Sequence, residues 1–476
     1  MKTILTNPLT KICPTRALTL TRALALTLAL ACPLLSSALT VLPSNPRQNP
    51  TVQAVEPPPQ NSNPSGAALY GTDKIDLTNL PPTRIGVMPF RHLELQYALA
   101  GYRHSRIPLV AFDGTMYFKA GFGDDPGIYF FIPRLAAFSG LSLEHSIDLF
   151  FGAILAISFL SGIVGCLVIF DRWDLKEWAA FGLSMLLWFC YRKGDLYIVL
   201  AAPIVAIVPW SIYFLRKNSA GAVMGAFLFG VGLLAGFANQ IRGQAATALL
   251  IFLAILVAFE LKRGWERRAV LILALFAGMA VSVLYFDSLL ARRDAYLAAA
   301  EPGYTNIVDH HSVWHSLYIG LGYLKNNPYV AGYRDEVAEQ EVHSISPTAP
   351  MLSPEYERIL RHQTLRIARD HPLFILATLI AKLRVILFLL LSWANLGLLA
   401  ALFYPKDRAM ESAFWAALAF TSLFGVIAVP QVQYLLGFMA FANLYGVVSL
   451  DYALQVHRPD EFQARLRRFA QKLHLA

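Results

Sequence analysis

Charge is scarce in this chain. Acidic and basic residues make up 15% of its 476 positions, where soluble domains carry about 25%. A chain so poor in charge must bury most of its surface or sit in lipid. Cysteine is scarcer still. Cys13, Cys32, Cys166 and Cys190 are the full set, and none has the spacing of a metal ligand, so neither a disulfide framework nor a zinc site is expected. No basic run with interleaved aromatics lies in a long soluble segment, which sets nucleic acid aside as a partner despite a formal net charge of +9. No internal repeat is strong enough to suggest inverted symmetry, and that counts against a transporter built from repeats.

What the chain has instead is hydrophobic residues, 56% of the total. About 20 apolar residues in a helix cross about 30 Å of hydrocarbon. Such runs recur at 17–40, 146–170, 177–191, 196–215, 220–238, 245–260, 269–287, 385–404, 412–429 and 432–454. The expected fold is an all-α polytopic membrane protein of about ten transmembrane helices with two large extracytoplasmic segments. Residues 1–40 read as an N-terminal membrane anchor or signal-like helix, with the uncleaved anchor favoured because Arg22 interrupts the run. Residues 41–66, rich in Pro, Asn and Gln, read as a disordered linker. Residues 67–145 form the first extracytoplasmic loop, 146–287 a transmembrane bundle, 288–384 the second extracytoplasmic segment, 385–454 the C-terminal transmembrane helices and 455–476 a basic cytoplasmic tail.

Orientation follows from the short loops. With the N-terminus cytoplasmic, the inner loops hold Arg172, Lys176, Arg216, Lys217, Lys262, Arg263, Arg267, Arg268, Lys406 and Arg408, ten basic residues, against Arg192, Lys193 and Arg242 outside. Positive charge stays inside. The usage of Ala, Leu and Arg suits a bacterial inner membrane. The stretch 372–404 is too long for one upright span, so we expect an interfacial helix through HPLFILATLIAKLR followed by a true span. Lys382 and Arg384 would then reach the outer headgroups, where they join the substrate-binding candidates.

Three polar groups stand out on the outer side. The first is GFGDDPGIYFFIP, residues 121–133. Pro126-Gly127 makes a tight turn, and the aromatics from Tyr129 onward suit the interface. The turn would hold Asp124 and Asp125 near the headgroup plane, the depth at which a general base must work if one reactant is lipid-borne and the other water-borne. The alternative is a solvated acidic pair in an Asx turn. Asp113, in AFDGTMYF, is a lesser candidate of the same kind. The second is DHHSVWHSLYIGLGYLKNNPY, residues 309–329, with His310, His311 and His315. On a helix His311 and His315 would share a face with Tyr318 and Gly322. They could bind phosphate, shuttle protons or simply favour the interface; without an acidic third ligand, metal is the weaker reading. The third is Arg242, alone between Gln240 and Gln244 at a helix mouth and suited to bidentate phosphate binding. Arg192, Lys193 and Asp195 form a similar outer loop. Downstream, SPEYERILRHQTLRIARDH over 353–371 begins with a good helix start at Ser353-Pro354-Glu355 and reads as a structural amphipathic cap.

One helix, an outer loop with the acidic motif GDDPGIY, a helical bundle, and an outer segment ending in SPEYERILRHQTLRIARDHPLFIL together resemble the GT-C superfamily of membrane glycosyltransferases, the group that includes protein O-mannosyltransferases and aminoarabinose transferases. The resemblance covers roughly residues 85–400 as architecture. It implies an inverting displacement at the periplasmic face: Asp124 or Asp125 as base, a polyprenyl-phosphate sugar as donor, and a lipid, glycan or protein hydroxyl as acceptor. Arg242, with His310, His311 or His315, would steady the departing phosphate, and Tyr129, Lys382 and Arg384 would line the substrate. It implies no certain cofactor, a divalent cation being one option. The spacing from the first helix to the acidic pair is longer than is usual in that family, and the His-rich segment is not general to it. Two other readings are a lipid or anionic-solute transporter or flippase, and a non-catalytic assembly protein.

Overall fold

Four residues after Ile85, the first described residue, Pro89 occupies the first position of a helix, where its missing N–H has no partner to lose. That helix, α1 (Pro89–Ser105), buries Leu95, Ala98, Leu99 and Tyr102 but also Arg91 and His92. The computed structural model describes Ile85 and residues 87–456, except 122–123, 194, 218–220, 261–263, 303, 305–312, 326 and 405. The expected first helix, the linker, His310, His311 and the basic tail lie outside the described residues.

A short hairpin follows α1. Strand β1 (Val110–Phe112) pairs antiparallel with β2 (Tyr117–Lys119), Ala111 facing Phe118. This corrects the all-α expectation in one place. Asp113 forms the turn: its Oδ1 accepts from the Thr115 amide at 2.8 Å, the Thr115 hydroxyl at 2.7 Å and the Met116 amide at 3.0 Å. Gly114 takes φ +103 there, which is turn chemistry that the sequence DGT supplies. Asp113 is thereby committed to the hairpin.

The helices that follow are α2 (Gly127–Ser139), α3 (Leu143–Ile169), α4 (Trp173–Lys193), α5 (Ala202–Arg216) after a 3₁₀ turn at Asp195–Leu200, α6 (Gly221–Ile241), α7 (Thr247–Glu260) and α8 (Trp265–Ala300). Three shorter helices come next, α9 (Val313–Leu321), α10 (Asp335–Ile345) and α11 (Pro354–Asp370). The chain then returns through α12 (Pro372–Phe403), α13 (Arg408–Ile427), a 3₁₀ turn at Val432–Leu435 and α14 (Leu436–Val456). Among the described residues seven helical stretches are long and apolar enough to cross a membrane, and this is a multi-pass membrane protein. Ile157, Leu234, Leu273, Phe388 and Leu402 stand exposed on these helices, as side chains facing lipid do. The 21-residue α4 carries Asp174, Lys176, Glu177, Arg192 and Lys193, and α7 is only 14 residues long, so neither is among the seven.

The helices pack through small residues. A Cβ on Gly232 of α6 would run into the Leu275 carbonyl of α8, and one on Gly278 into the Phe229 carbonyl. Close backbone approach of this kind takes the place of the hydrophobic drive that lipid cannot supply.

Two expected boundaries move. Helix α8 continues to Ala300, through residues assigned to the hydrophilic segment, because SLLARRDAYLAAA contains no breaker and is rich in helix formers. The break expected after Arg384 is absent: α12 runs unbroken past it, and its one non-helical residue is Asn395 (φ 37, ψ −122). The reason lies in Lys382. It does not reach for headgroups. It is 3% exposed, and its Nζ donates to the carbonyls of Val426 at 2.9 Å and Ala428 at 2.7 Å, at the C-terminal end of α13. The ammonium is solvated by the unpaired carbonyls of a helix end, a favoured place for a cation. Arg384, two residues on, is exposed. Lys382→Met keeps the apolar stem and strands those carbonyls; at about 1–3 kcal/mol for a buried group left unpaired, the unfolding temperature of the purified protein should fall measurably, and an unchanged value would contradict the capping role.

Successive passages place the polar loops at two ends. At one end the Asp125 carboxylate meets the Gly243 amide, Arg91 meets Asp195, Glu301 accepts from the Tyr117 amide and Tyr333 meets Tyr434. At the other Arg216 joins Asp451 and the Ile169 carbonyl. The helices α9, α10 and α11 have their own small core of Tyr318, Val342, Tyr356, Leu360 and Ile367. Ser353 caps α11 by accepting from the Tyr356 amide at 3.2 Å, which is the helix start expected from the sequence.

Candidate functional site

Arg91 organises the acidic loop. Its Nε donates to Asp124 Oδ2 at 2.6 Å and its second terminal nitrogen to Asp124 Oδ1 at 3.1 Å, a bidentate pair. Its other terminal nitrogen donates to Asp195 Oδ2. The three side chains are each 4–5% exposed. Burial by itself would lower the Arg91 pKa, but Asp124 and then Asp195 hold it above the ordinary arginine value. One guanidinium thus clasps α1, the acidic loop and the 3₁₀ turn that opens α5. Tyr129 completes the clasp by donating to Asp124 Oδ2 at 3.2 Å. Its phenol is pushed well up, first by burial and then by the Asp124 charge, so it remains a donor. Asp195 sits at φ +67 and accepts from the Leu196 amide at 2.7 Å, which fixes the turn beneath it.

The two adjacent aspartates therefore have different environments. The Asp124 side chain is buried, with both oxygens engaged by Arg91. Asp125 is 27% exposed on its side chain. Its Oδ2 accepts from the Gly243 amide at 2.7 Å and lies 4.0 Å from Arg242 Nη1. Two glycines lie where these loops meet, and Gly127 allows the closer approach. A Cβ on Gly127 would come within 2.7 Å of the Gln240 backbone, and one on Gly243 within 3.1 Å of Asp125 Oδ1. Arg242, 15% exposed, lies over the Tyr197 ring at 5.0 Å. Tyr197 meets Tyr434 edge-on at 5.1 Å, and Tyr333 donates to the Tyr434 hydroxyl at 3.2 Å. A continuous line of contacts thus runs from Asp125 through Arg242 to the small helical core beyond α9.

No family model matches this chain, nor does any curated protein or solved structure. The site must be read from its own chemistry. It offers a partly exposed carboxylate braced by the Gly243 amide beside a partly exposed guanidinium set over the Tyr197 ring, at one mouth of a membrane bundle.

Of the residues expected from the sequence, Asp124, Asp125, Tyr129 and Arg242 come together here. His315 is placed elsewhere: its Nδ1 pairs with the Tyr356 hydroxyl at 2.8 Å and its Nε2 with Asp335 Oδ1 at 3.0 Å, ties that hold α9 to α10 and α11. Lys382 is spent on the end of α13, and Arg384 is exposed along α12. Among the described residues no group of three or more His, Cys, Asp or Glu side chains has a geometry that holds a metal ion. Sequence reading missed Arg91, Tyr197 and Tyr434. Arg91 lies 33 residues from Asp124 in an unremarked polar helix, and no spacing rule links the two. Asp195 carried a signal, as an acid at a helix mouth, but not its partner.

Proposed function

We propose that this protein is a membrane glycosyltransferase that moves a sugar from a polyprenyl-phosphate carrier to an acceptor hydroxyl at the periplasmic face of a bacterial inner membrane. The observation that carries this reading is the Asp125–Arg242 pair at 4.0 Å, a base and a cation exposed side by side where a lipid-borne phosphate and a water-borne hydroxyl can meet. Asp125 removes the proton from the acceptor hydroxyl. That oxygen bonds to the anomeric carbon as the bond from the anomeric carbon to the phosphate oxygen breaks, inverting the centre. The departing phosphate gains one negative charge, which Arg242 stabilises in a partly desolvated site. One carboxylate suffices, since phosphate leaves without a proton, unlike the sugar alkoxide that hydrolases must protonate. Asp124 does not act as the base in this scheme, because its lone pairs are given to Arg91 and Tyr129. It is a positioning residue that sets the backbone of Asp125.

The direct test supplies purified protein with polyprenyl-phosphate sugars and measures release of polyprenyl phosphate, for the native chain and for Asp125→Asn. Equal release from both, or none from the native chain with any donor, removes the reading. Sidedness is tested separately. A cysteine introduced as Asp113→Cys, in the exposed hairpin turn, should react with an impermeant maleimide from the periplasm of intact cells. One introduced as Arg267→Cys, exposed at the start of α8, should react only after the cells are opened. The reverse pattern would place the site in the cytosol.

A further inference from the structure

Helix α12 carries two charged side chains in its 32 residues, Lys382 and Arg384, and they take opposite sides of it. Lys382 and Ile386 are buried against α13. The Lys382 ammonium donates to the carbonyls of Val426 and Ala428, and Ile386 packs beside Gly425. Successive residues of a helix turn by about 100°, so Arg384, two positions from each, projects about 200° around the axis from both, away from α13. It is exposed. So are Ile380, Leu387, Phe388 and Leu391, which share its face by their spacing of three, four and seven. No hydrogen bond or ion pair joins the Arg384 guanidinium to another described residue. Two lengths give its depth. Helix α13 has 20 residues, about 30 Å at 1.5 Å each, which matches the hydrocarbon core, and its last carbonyls lie on Lys382. Arg384 also stands 19 residues before Phe403, where α12 ends, about 28 Å along the axis. Both put Arg384 at one boundary of the hydrocarbon. That boundary belongs to the site end, since the turn that follows Ala428 holds Tyr434, which meets Tyr197 beneath Arg242.

We propose that Arg384 and the face of α12 around it bind the phosphodiester group of an anionic phospholipid. A charged side chain among lipid-facing apolar residues is costly unless its charge is answered, and here the protein supplies no counter-charge. Phosphate oxygens at headgroup depth supply it, and the planar guanidinium pairs with them through two parallel bonds. The charge count selects the lipid. Arg384 is the one cation on this face of α12, because Lys382 is turned inward, and it balances the single negative charge of a phosphodiester. A zwitterionic headgroup brings its own ammonium to that charge, and a terminal phosphate monoester carries up to two charges. From Arg384 the exposed side chains of Leu387, Phe388 and Leu391 run about 10 Å toward the bilayer centre and lie along the acyl chains. The proposal does not rest on the transferase reading.

The test places the full chain in phosphatidylcholine nanodiscs that contain a small share of a photoactivatable lipid, with a diazirine near its headgroup. The photolipid is either a phosphatidylglycerol or a phosphatidylcholine with the same acyl chains, and the labelled peptides are mapped by mass spectrometry. Phosphatidylglycerol should label the segment from Ile380 to Leu391 about fivefold more than phosphatidylcholine does, the discrimination expected of one basic residue at an anionic lipid surface. Equal labelling by the two lipids overturns the proposal without any variant. Arg384→Gln should lower the phosphatidylglycerol label on that segment to the phosphatidylcholine level and leave labels elsewhere unchanged, whereas Arg384→Lys should keep most of it. A preference that persists in folded Arg384→Gln also overturns the proposal. Polyprenyl phosphate or inorganic phosphate, added in amounts equal to the photolipid, should leave the label in place. Displacement by the first would make this a carrier site and displacement by the second a site for soluble anions, and either removes the phospholipid assignment. Asp125→Asn should label as the native chain does, so loss of the transferase reading and loss of this one are seen as separate results.

Discussion

Asp125→Asn should lower the rate of polyprenyl phosphate release by about 10² to 10⁴-fold, the range that a positioned general base contributes, with little change in unfolding temperature. The expectation depends on how Asp125 is held. It accepts a bond from the Gly243 amide at 2.7 Å, and an asparagine carbonyl oxygen can accept the same bond. Its 4.0 Å separation from Arg242 across a partly exposed gap is an ion pair of the weak kind, about 0–1 kcal/mol. The fold therefore loses little, whereas the reaction loses the group that takes the proton. A rate within threefold of native in a well-folded Asp125→Asn protein would assign the base elsewhere. Arg242→Ala should also slow release, and the loss should be smaller with Lys than with Ala, because a lysine keeps the charge without the bidentate geometry.

Arg91→Met should have the opposite character: a large loss of stability, about 3–5 kcal/mol, because removing one partner of a buried ionic group leaves the others as uncompensated charges. Here two carboxylates would be stranded, those of Asp124 and Asp195, each about 4% exposed. The measurement is the unfolding temperature of the purified protein or its yield in the membrane. The chemistry of the clasp makes a further expectation. Replacing all three residues by apolar ones of similar size should recover much of the lost stability, since a buried ionic group is often no better than well-packed hydrocarbon. That triple variant should still lack transfer activity if the clasp positions the neighbouring Asp125. Near-native stability in Arg91→Met alone would contradict the clasp.

Some of this molecule is legible in its sequence. The helices α3, α6 and α13 lie close to the runs 146–170, 220–238 and 412–429, because a helix that must satisfy every backbone group in lipid leaves an unmistakable stretch of apolar residues. The start of α11 was readable from Ser353 and Pro354 because capping is a local interaction. The acidic pair and Arg242 were readable as polar residues placed against apolar runs. By contrast, the continuity of α12 through Lys382 was not readable. Whether a lysine in an apolar run marks a boundary or enters the protein depends on what faces it, and the carbonyls that face it are 44–46 residues away. The hairpin at β1 and β2 was missed although DGT is a turn signal, because strands of three residues carry too little alternation to register.

The sequence by itself determined that this chain lives in a membrane, where the main apolar passages run, and that acids and a lone arginine sit at helix mouths. These are consequences of hydropathy and local backbone chemistry, which act over a few turns of chain. Only the tertiary structure decided that Asp124 is bound to Arg91 while Asp125 stays accessible, that Asp195 shares the same guanidinium, and that Lys382 serves a helix end. Adjacent aspartates are identical to any rule that reads spacing; what separates them is which distant donors the packed helices bring to each carboxylate.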